Sequence, residues 1–181
     1  MGRESLNGQR ADQWTDLCRA LSRGMIEPGD AAPEFTAPLA NGDVSELSLA
    51  SAVEEGPVVL AFFPGAFTSV CSHEMEAFDD RLSAFDDAGA TVYGVSVDTP
   101  FAQNAFREEL GLDFALVSDT NRELVDAYDI SMDFAGLGVH NLAKRSVFVV
   151  DADREVTYAW VSEDPGVEPD YDAVLEAADA A

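Results

Sequence analysis

The sequence predicts an α/β layer sandwich with a mostly parallel sheet at its centre. Four apolar runs have strand length and are rich in β-branched and aromatic residues: Val58 to Phe63, Val92 to Val97, Ser146 to Val150 and Val156 to Val161. They are continuous rather than alternating, as strands buried on both faces are. Helical stretches fall between them, and that alternation specifies helices layered on a sheet. A chain of 181 residues, 47% of them apolar, suits one domain with a substantial core, since domains of about 100–150 residues are commonest.

The elements follow in order. Trp14, Leu17, Cys18 and Leu21 recur at the spacing of one helical stripe, so a short amphipathic helix is expected ahead of the domain, with Gly24 able to end it. Phe35 to Leu39, the Asn41-Gly42-Asp43 turn and Val44 to Leu49 read as a β-hairpin. After the strand at Val58 to Phe63, a helix is expected from Cys71 to Asp87, with Met75, Phe78, Leu82 and Phe85 on its apolar face. Asp79, Asp80, Asp86 and Asp87 lie on its outward, solvated face. Thr99 and Pro100 look like the N-cap and first residue of a helix from Phe101 to Leu110. Asn121 to Tyr128 and Tyr171 to Ala178 supply two more helices.

Charge narrows the function. The chain carries 35 acidic against 10 basic side chains, a net charge of −25. Such a surface repels nucleic-acid phosphates and anionic lipid headgroups, so neither is an expected partner. At ~1 M salt the Debye length shrinks to about 3 Å and the self-repulsion is screened, so the balance reads as halophilic adaptation to a salt-rich cytoplasm. Residues 1–25 carry four Arg against Glu4, Asp12 and Asp16, and the remaining residues hold all the excess acid. We therefore expect an N-terminal extension over residues 1–24 and a domain over 25–181. The extension lacks the apolar run of a secretory signal. No segment approaches the ~20 apolar residues of a membrane span, and a cytoplasmic location is expected.

Two cysteines, Cys18 and Cys71, do not make a disulfide framework, and no CxxC is present to encode a zinc ribbon or a dithiol pair. Cys71 is the informative one. A buried strand ends at Phe63, a Pro64-Gly65 turn interrupts it, and a helix starts around Thr68 to Val70. Cys71 thus sits in the first turn of a helix, where unpaired N–H groups and the positive end of the macrodipole favour an anion. A thiolate used as a nucleophile also needs donors for its substrate, a cation and a wall against water. Thr68, one turn earlier, can place a hydroxyl beside the sulfur, and Pro64 supplies a wall without a competing N–H. The only adjacent basic pair of the domain is Lys144-Arg145, at the mouth of a strand. Glu74, one turn after Cys71, could orient that guanidinium through a bidentate pair.

Pro64-x-x-x-Thr68-x-x-Cys71 with Glu74 resembles the peroxiredoxin active-site motif. Gly29-Asp30-x-Ala32-Pro33-x-Phe35 looks like the start of that family's domain, and Arg145-Ser146-x-Phe148-Val149-Val150-Asp151 like the strand bearing its active-site Arg. The resemblance implies a thioredoxin-like fold, a central mixed sheet flanked by helices with an N-terminal hairpin addition. It implies that Cys71 is the peroxidatic nucleophile, that Thr68 and Arg145 bind the peroxide, that Pro64 shields the sulfur and that Glu74 positions Arg145. It also implies a homo-oligomer, a dimer or larger, and no cofactor.

Departures from the family matter as much. Where some members carry a resolving cysteine five residues after the nucleophile this chain has Glu76, and the segment from Asp164 to Ala181 has no cysteine. The sequence therefore looks like a one-cysteine member, similar to the alkyl hydroperoxide reductase E and bacterioferritin-comigratory groups. Its sulfenate would be reduced by an external small-molecule or thioredoxin-like thiol. Cys18 reads either as a small apolar residue of the leader stripe or as an atypical resolving cysteine. A metal at His73 and Cys71 is not expected, as no third ligand lies at a recognisable spacing. His140 with Gly136-x-Gly138 reads as a turn near the site, Trp160 as core, and Asp98 as a loop residue of undecided role. A thiol peroxidase is expected. The alternative is a non-catalytic thioredoxin-fold redox-signalling or binding module, which would need neither Thr68 nor Arg145.

Overall fold

The computed structural model describes residues 24–181. The leader helix expected around Trp14 to Leu21, and Cys18 with it, lie outside the described residues. Strand β1 (Thr36–Ala40) turns through Gly42, at φ +104, into β2 (Val44–Ser48), a backbone conformation that glycine adopts without a Cβ clash. Helix α1 (Leu49–Val53) leads to β3 (Val58–Phe62), then α2 (Ser69–Asp79), α3 (Leu82–Asp87), β4 (Thr91–Ser96), α4 (Pro100–Leu110), β5 (Ala115–Ser118) and α5 (Glu123–Ala127). A separate hairpin of β6 (Ser131–Phe134) and β7 (Val139–Ala143) precedes β8 (Ser146–Val150), β9 (Val156–Val161) and α6 (Tyr171–Asp179).

Seven strands form one mixed sheet in the order β2-β1-β5-β4-β3-β8-β9. Strands β3, β4 and β5 run parallel, while β1 and β8 join that centre antiparallel. Strand β3 shows why its sequence is continuously apolar. Side chains alternate across a sheet, so Val58, Leu60 and Phe62 enter one core with residues of α1 and α5. Val59, Ala61 and Phe63 enter the other, with Met75 and Phe78 of α2, Phe85 of α3, Phe106 of α4 and Val174 of α6.

Several expectations are corrected. The helix expected from Cys71 to Asp87 is two helices broken at Asp80 and Arg81. Arg81 takes a non-helical conformation and its guanidinium caps the Ala77 carbonyl at 2.9 Å. The apolar stripe runs on through the break, with Phe78 and Phe85 in ring contact, so periodicity could not show it. The helix over 121–128 is confined to Glu123–Ala127, because Arg122 is left-handed at φ 64 and Asp119 accepts from the amides of Leu124 and Val125. The four-residue β5 and the β6–β7 hairpin had no strand-length apolar signal. Thr99 does cap its helix, accepting from Ala102 N at 3.3 Å with Pro100 following. Gly136 and Gly138 form the tip joining β6 to β7, His140 pairs with Asp133 at 3.1 Å, and Trp160 is half-buried against the second core.

The helix that follows β3 packs tightly on the sheet at Gly94. A Cβ there would come within 2.6 Å of Leu116 Cδ2, 2.9 Å of Met75 Sδ and 3.3 Å of Phe63 Cε1. Gly94→Ala is expected to lower unfolding free energy by about 1–3 kcal/mol through overpacking. Urea denaturation checks it, with a lower midpoint at unchanged slope as the predicted outcome.

Candidate active site

Strand β3 delivers the chain to the end of the sheet and a six-residue connection, residues 63–68, reverses it into α2. The N–H of Phe63 still donates to Val95 O at 3.0 Å, and Pro64 is buried just beyond. The Ala66 amide donates to Asp98 Oδ2 at 2.8 Å. Phe67 is left-handed at φ 63, a conformation costing a non-glycine residue roughly 1–2 kcal/mol. Its ring meets Phe106 edge-on at 5.2 Å. Thr68 is the N-cap by its extended backbone, and the first helical bond runs from Ser72 N to Thr68 O at 2.9 Å. Cys71 is therefore the third residue of α2, beside the unpaired amides of its first turn, and its exposure is 1%.

Arg145 reaches this sulfur through sheet register. Ser146 pairs with Phe62 across the β3–β8 ladder, which places the preceding residue beside the start of the Pro64 connection. The buried guanidinium divides its N–H groups among three acceptors. Nη1 donates to Glu74 Oε2, Nη2 donates to Cys71 Sγ at 3.4 Å and to the Pro165 carbonyl at 2.8 Å, and Nε donates to that same carbonyl at 3.1 Å. The bidentate pair expected with Glu74 is thus replaced by a single-oxygen contact, because the other N–H groups serve Cys71 and Pro165. Glu74 Oε1 is buried without a partner.

Two acids face one cation in this cluster. Burial pushes the Glu74 carboxyl up to about 8, against the opposing pull of Arg145, and the Glu168 charge adds to the rise. Burial also disfavours the Arg145 cation, but Glu74 and Cys71 more than offset it, so the guanidinium is held above its ordinary range. Arg145 is thus the one charge toward which both the Glu74 carboxyl and the Cys71 sulfur are directed.

The structure brings Cys71, Arg145 and Glu74 together, with Pro64 buried at the entrance to the connection. Thr68 is exposed, and its hydroxyl donates to Gly65 O at 3.3 Å rather than to the sulfur. Of the basic pair only Arg145 turns inward; Lys144 pairs with Glu163 at 2.5 Å. His73 Nδ1 lies 2.8 Å from Glu168 Oε1. Two site features were not read from the sequence. Asp98 ties the connection to β4, its Oδ2 also accepting from Ser96 Oγ at 2.8 Å; its place after a strand was the only signal. Pro165 acts through a backbone carbonyl, which no residue type announces.

Residues 28–159 match the model of the AhpC/TSA family. A thiol peroxidase of Listeria innocua is 35% identical over 153 residues, covering 83% of this chain and 86% of that protein. A chloroplastic 2-cysteine peroxiredoxin of Chattonella marina is 32% identical over 145 residues, covering 76% and 71%. Among solved structures, peroxidoxin BcpB from Mycobacterium tuberculosis is similar at a TM-score of 0.75 and 29% identity, covering 86% of this chain and 97% of its own. Peroxiredoxin Q of Xanthomonas campestris is similar at a TM-score of 0.71 and 29% identity, covering 86% and 96%.

The raised Glu74 value has a stability consequence. An acid whose folded value exceeds its ordinary 4.5 holds its proton more tightly when folded. Its contribution is complete below that ordinary value and is lost as pH rises through about 8. Unfolding free energies measured across this window should fall more steeply with pH for the wild type than for Glu74→Gln. Parallel slopes would contradict the assignment.

Proposed function

The chain belongs to the AhpC/TSA family and is a thiol-dependent peroxidase of the peroxiredoxin kind; we propose that Cys71 is its peroxidatic nucleophile and Arg145 the cation that activates it. The observation that carries this reading is the Arg145 Nη2 contact on Cys71 Sγ inside a buried cluster. A signalling or binding module has no use for a guanidinium buried against a sulfur.

In the first half-reaction the Cys71 thiolate attacks the terminal oxygen of ROOH. The S–O bond forms as the O–O bond breaks, and the departing alkoxide takes a proton to give ROH while Cys71 becomes a sulfenic acid. Arg145 donates toward the oxygens as negative charge moves onto them, the term that usually contributes most to such catalysis. Thr68, whose proton is directed to Gly65 O, keeps its oxygen lone pairs free to accept from the peroxide O–H. Pro64 closes the site beside the sulfur, and Glu74 holds Nη1 in place. A first thiol then displaces water from the sulfenic acid to form a mixed disulfide. A second releases Cys71 and a disulfide, giving ROOH + 2 RSH → ROH + H₂O + RSSR.

The thiol is assigned as external, a small molecule or a thioredoxin-like protein. Cys71 is the one cysteine among the described residues, Glu76 stands five positions on, and Asp164 to Ala181 contains none. Cys18 is kept as a resolving candidate, within the chain or across a dimer or larger homo-oligomer. Residues 1–24 are assigned as an extension of the catalytic domain. No helix of the described residues is long and apolar enough to cross a membrane. The charge of −25 supports a salt-rich cytoplasm as the setting. It disfavours anionic substrates and leaves hydrogen peroxide and alkyl hydroperoxides unaffected.

Cys71→Ser should abolish peroxide consumption, and wild-type turnover in that variant would end the assignment. Arg145→Lys keeps a charge but lacks the planar fork that reaches Glu74, Cys71 and Pro165 in their separate directions. Stopped-flow oxidation of Cys71 should slow by roughly 10²-fold in that variant. After one equivalent of peroxide, intact mass beside a non-reducing gel should show a sulfenic acid adduct without a disulfide. A Cys18–Cys71 disulfide in that experiment would make the leader part of the cycle.

A further inference from the structure

The guanidinium that contacts the sulfur is held on another side by a segment to which the mechanism assigns no role. Between β9 and α6 the chain passes through residues 162–170, and there the Pro165 carbonyl accepts from both Nε and Nη2 of Arg145. A carbonyl fixes a guanidinium only as well as its own backbone is fixed. Much of the hydrogen bonding here is local. The Gly166 and Val167 amides donate to Oδ1 and the carbonyl of Asp164 at 2.8 and 3.1 Å, and Ser162 Oγ donates to the Asp164 carbonyl at 2.8 Å. The near end is tied where the Ser162 amide donates to Arg145 O at 2.9 Å.

At the far end Asp170 caps α6, its side chain accepting from the Asp172 and Ala173 amides, and Glu168 reaches across to α2. The Glu168 carboxylate lies 2.8 and 2.9 Å from His73 Nδ1 on α2, and its Oε2 accepts from the Tyr171 hydroxyl at 2.6 Å at the start of α6. Burial and the bond to Glu168 hold that hydroxyl well above the ordinary phenol range, so it remains a donor. His73 stands two residues beyond Cys71 on the same helix. The contacts therefore close a circuit from the helix bearing Cys71, through His73 and Glu168 to Pro165, and through Arg145 back to the sulfur.

We propose that Glu168 is a positioning residue for peroxide reduction: anchored by His73 and Tyr171, it fixes the Pro165 carbonyl that sets the Arg145 guanidinium against Cys71. Glu168 acts through Arg145 and touches neither the sulfur nor the peroxide. The proposal rests on the reading of Cys71 and Arg145 given above. Small misplacements of a catalytic group are costly, roughly 10²-fold for about 1 Å, and a slackened strap has that kind of effect.

The test is the second-order rate of Cys71 oxidation by hydrogen peroxide in a single turnover without added thiol, read by stopped-flow and by intact mass. Glu168→Ala should slow it about tenfold. Glu168→Gln, whose amide oxygen still accepts from Tyr171 and His73, should recover most of the loss. In an Arg145→Gln background the same Glu168→Ala change should alter the remaining rate by less than about twofold, because its path ends at the guanidinium. An unchanged rate in Glu168→Ala overturns the proposal. So does an equal loss with and without Arg145, which marks a general structural effect. Should Glu168→Ala fail to fold by circular dichroism, Tyr171→Phe is taken through the same cycle under the same criteria. Failure of the underlying reading is distinguishable, since it shows as wild-type turnover in Cys71→Ser whatever residue 168 is.

Discussion

The buried contact between Arg145 and Glu74 is the constraint around which the site is arranged. A guanidinium removed from water loses its hydration, and a buried charge left without its partners costs roughly 3–5 kcal/mol. Arg145 is tolerable at 1% exposure because Glu74, Cys71 and Pro165 supply acceptors in three directions. Each acceptor comes from a different part of the architecture: Glu74 and Cys71 from one face of α2, Pro165 from the segment after β9. The antiparallel register of β3 and β8 brings the arginine to meet them. A one-residue slip in that ladder would turn every side chain of β8 to the opposite face and disperse the cluster.

The connection from β3 to α2 is held just as firmly at its other end. The chain must leave a doubly buried strand and begin a helix within a few residues, and it does so through a left-handed Phe67. Asp98 Oδ2 receives the Ala66 amide and the Ser96 hydroxyl together, while Gln103 Nε2 reaches that hydroxyl at 3.0 Å and Val117 O at 2.8 Å. The connection from β3 to α2 is thereby fastened through β4 to β5, so its geometry follows from the parallel centre of the sheet.

What could be read from the sequence divides along a physical line. The continuous runs of β3 and β8 were legible because burial on both faces leaves no polar position. Cys71 was legible because a strand, a Pro-Gly turn and a helix start bracket it, and Arg145 because the domain has so few cations. Asp80 and Arg81 hid a helix break, since the apolar stripe continued at helical spacing on both sides. Strand β5 was too short to register, and its place was decided by pairing with β1 and β4. Pro165 was invisible because its contribution is a carbonyl that every residue has. The one-oxygen contact of Glu74 was invisible because the competing acceptors come from chain segments far apart in sequence.

Cys71 is almost fully enclosed, and the enclosure treats the two halves of the catalytic cycle differently. A peroxide, two oxygens at its reacting end, asks only a small opening of a sulfur so enclosed. A thiol reductant of any size must bring its own sulfur into line with Cys71, which a sulfur exposed at 1% does not permit until the first turn of α2 or its surroundings give way. On the proposed assignment, reduction therefore needs a larger opening than oxidation does. With Cys71 as the proposed nucleophile, that enclosure favours small oxidants and asks a larger opening of the step that regenerates the thiol.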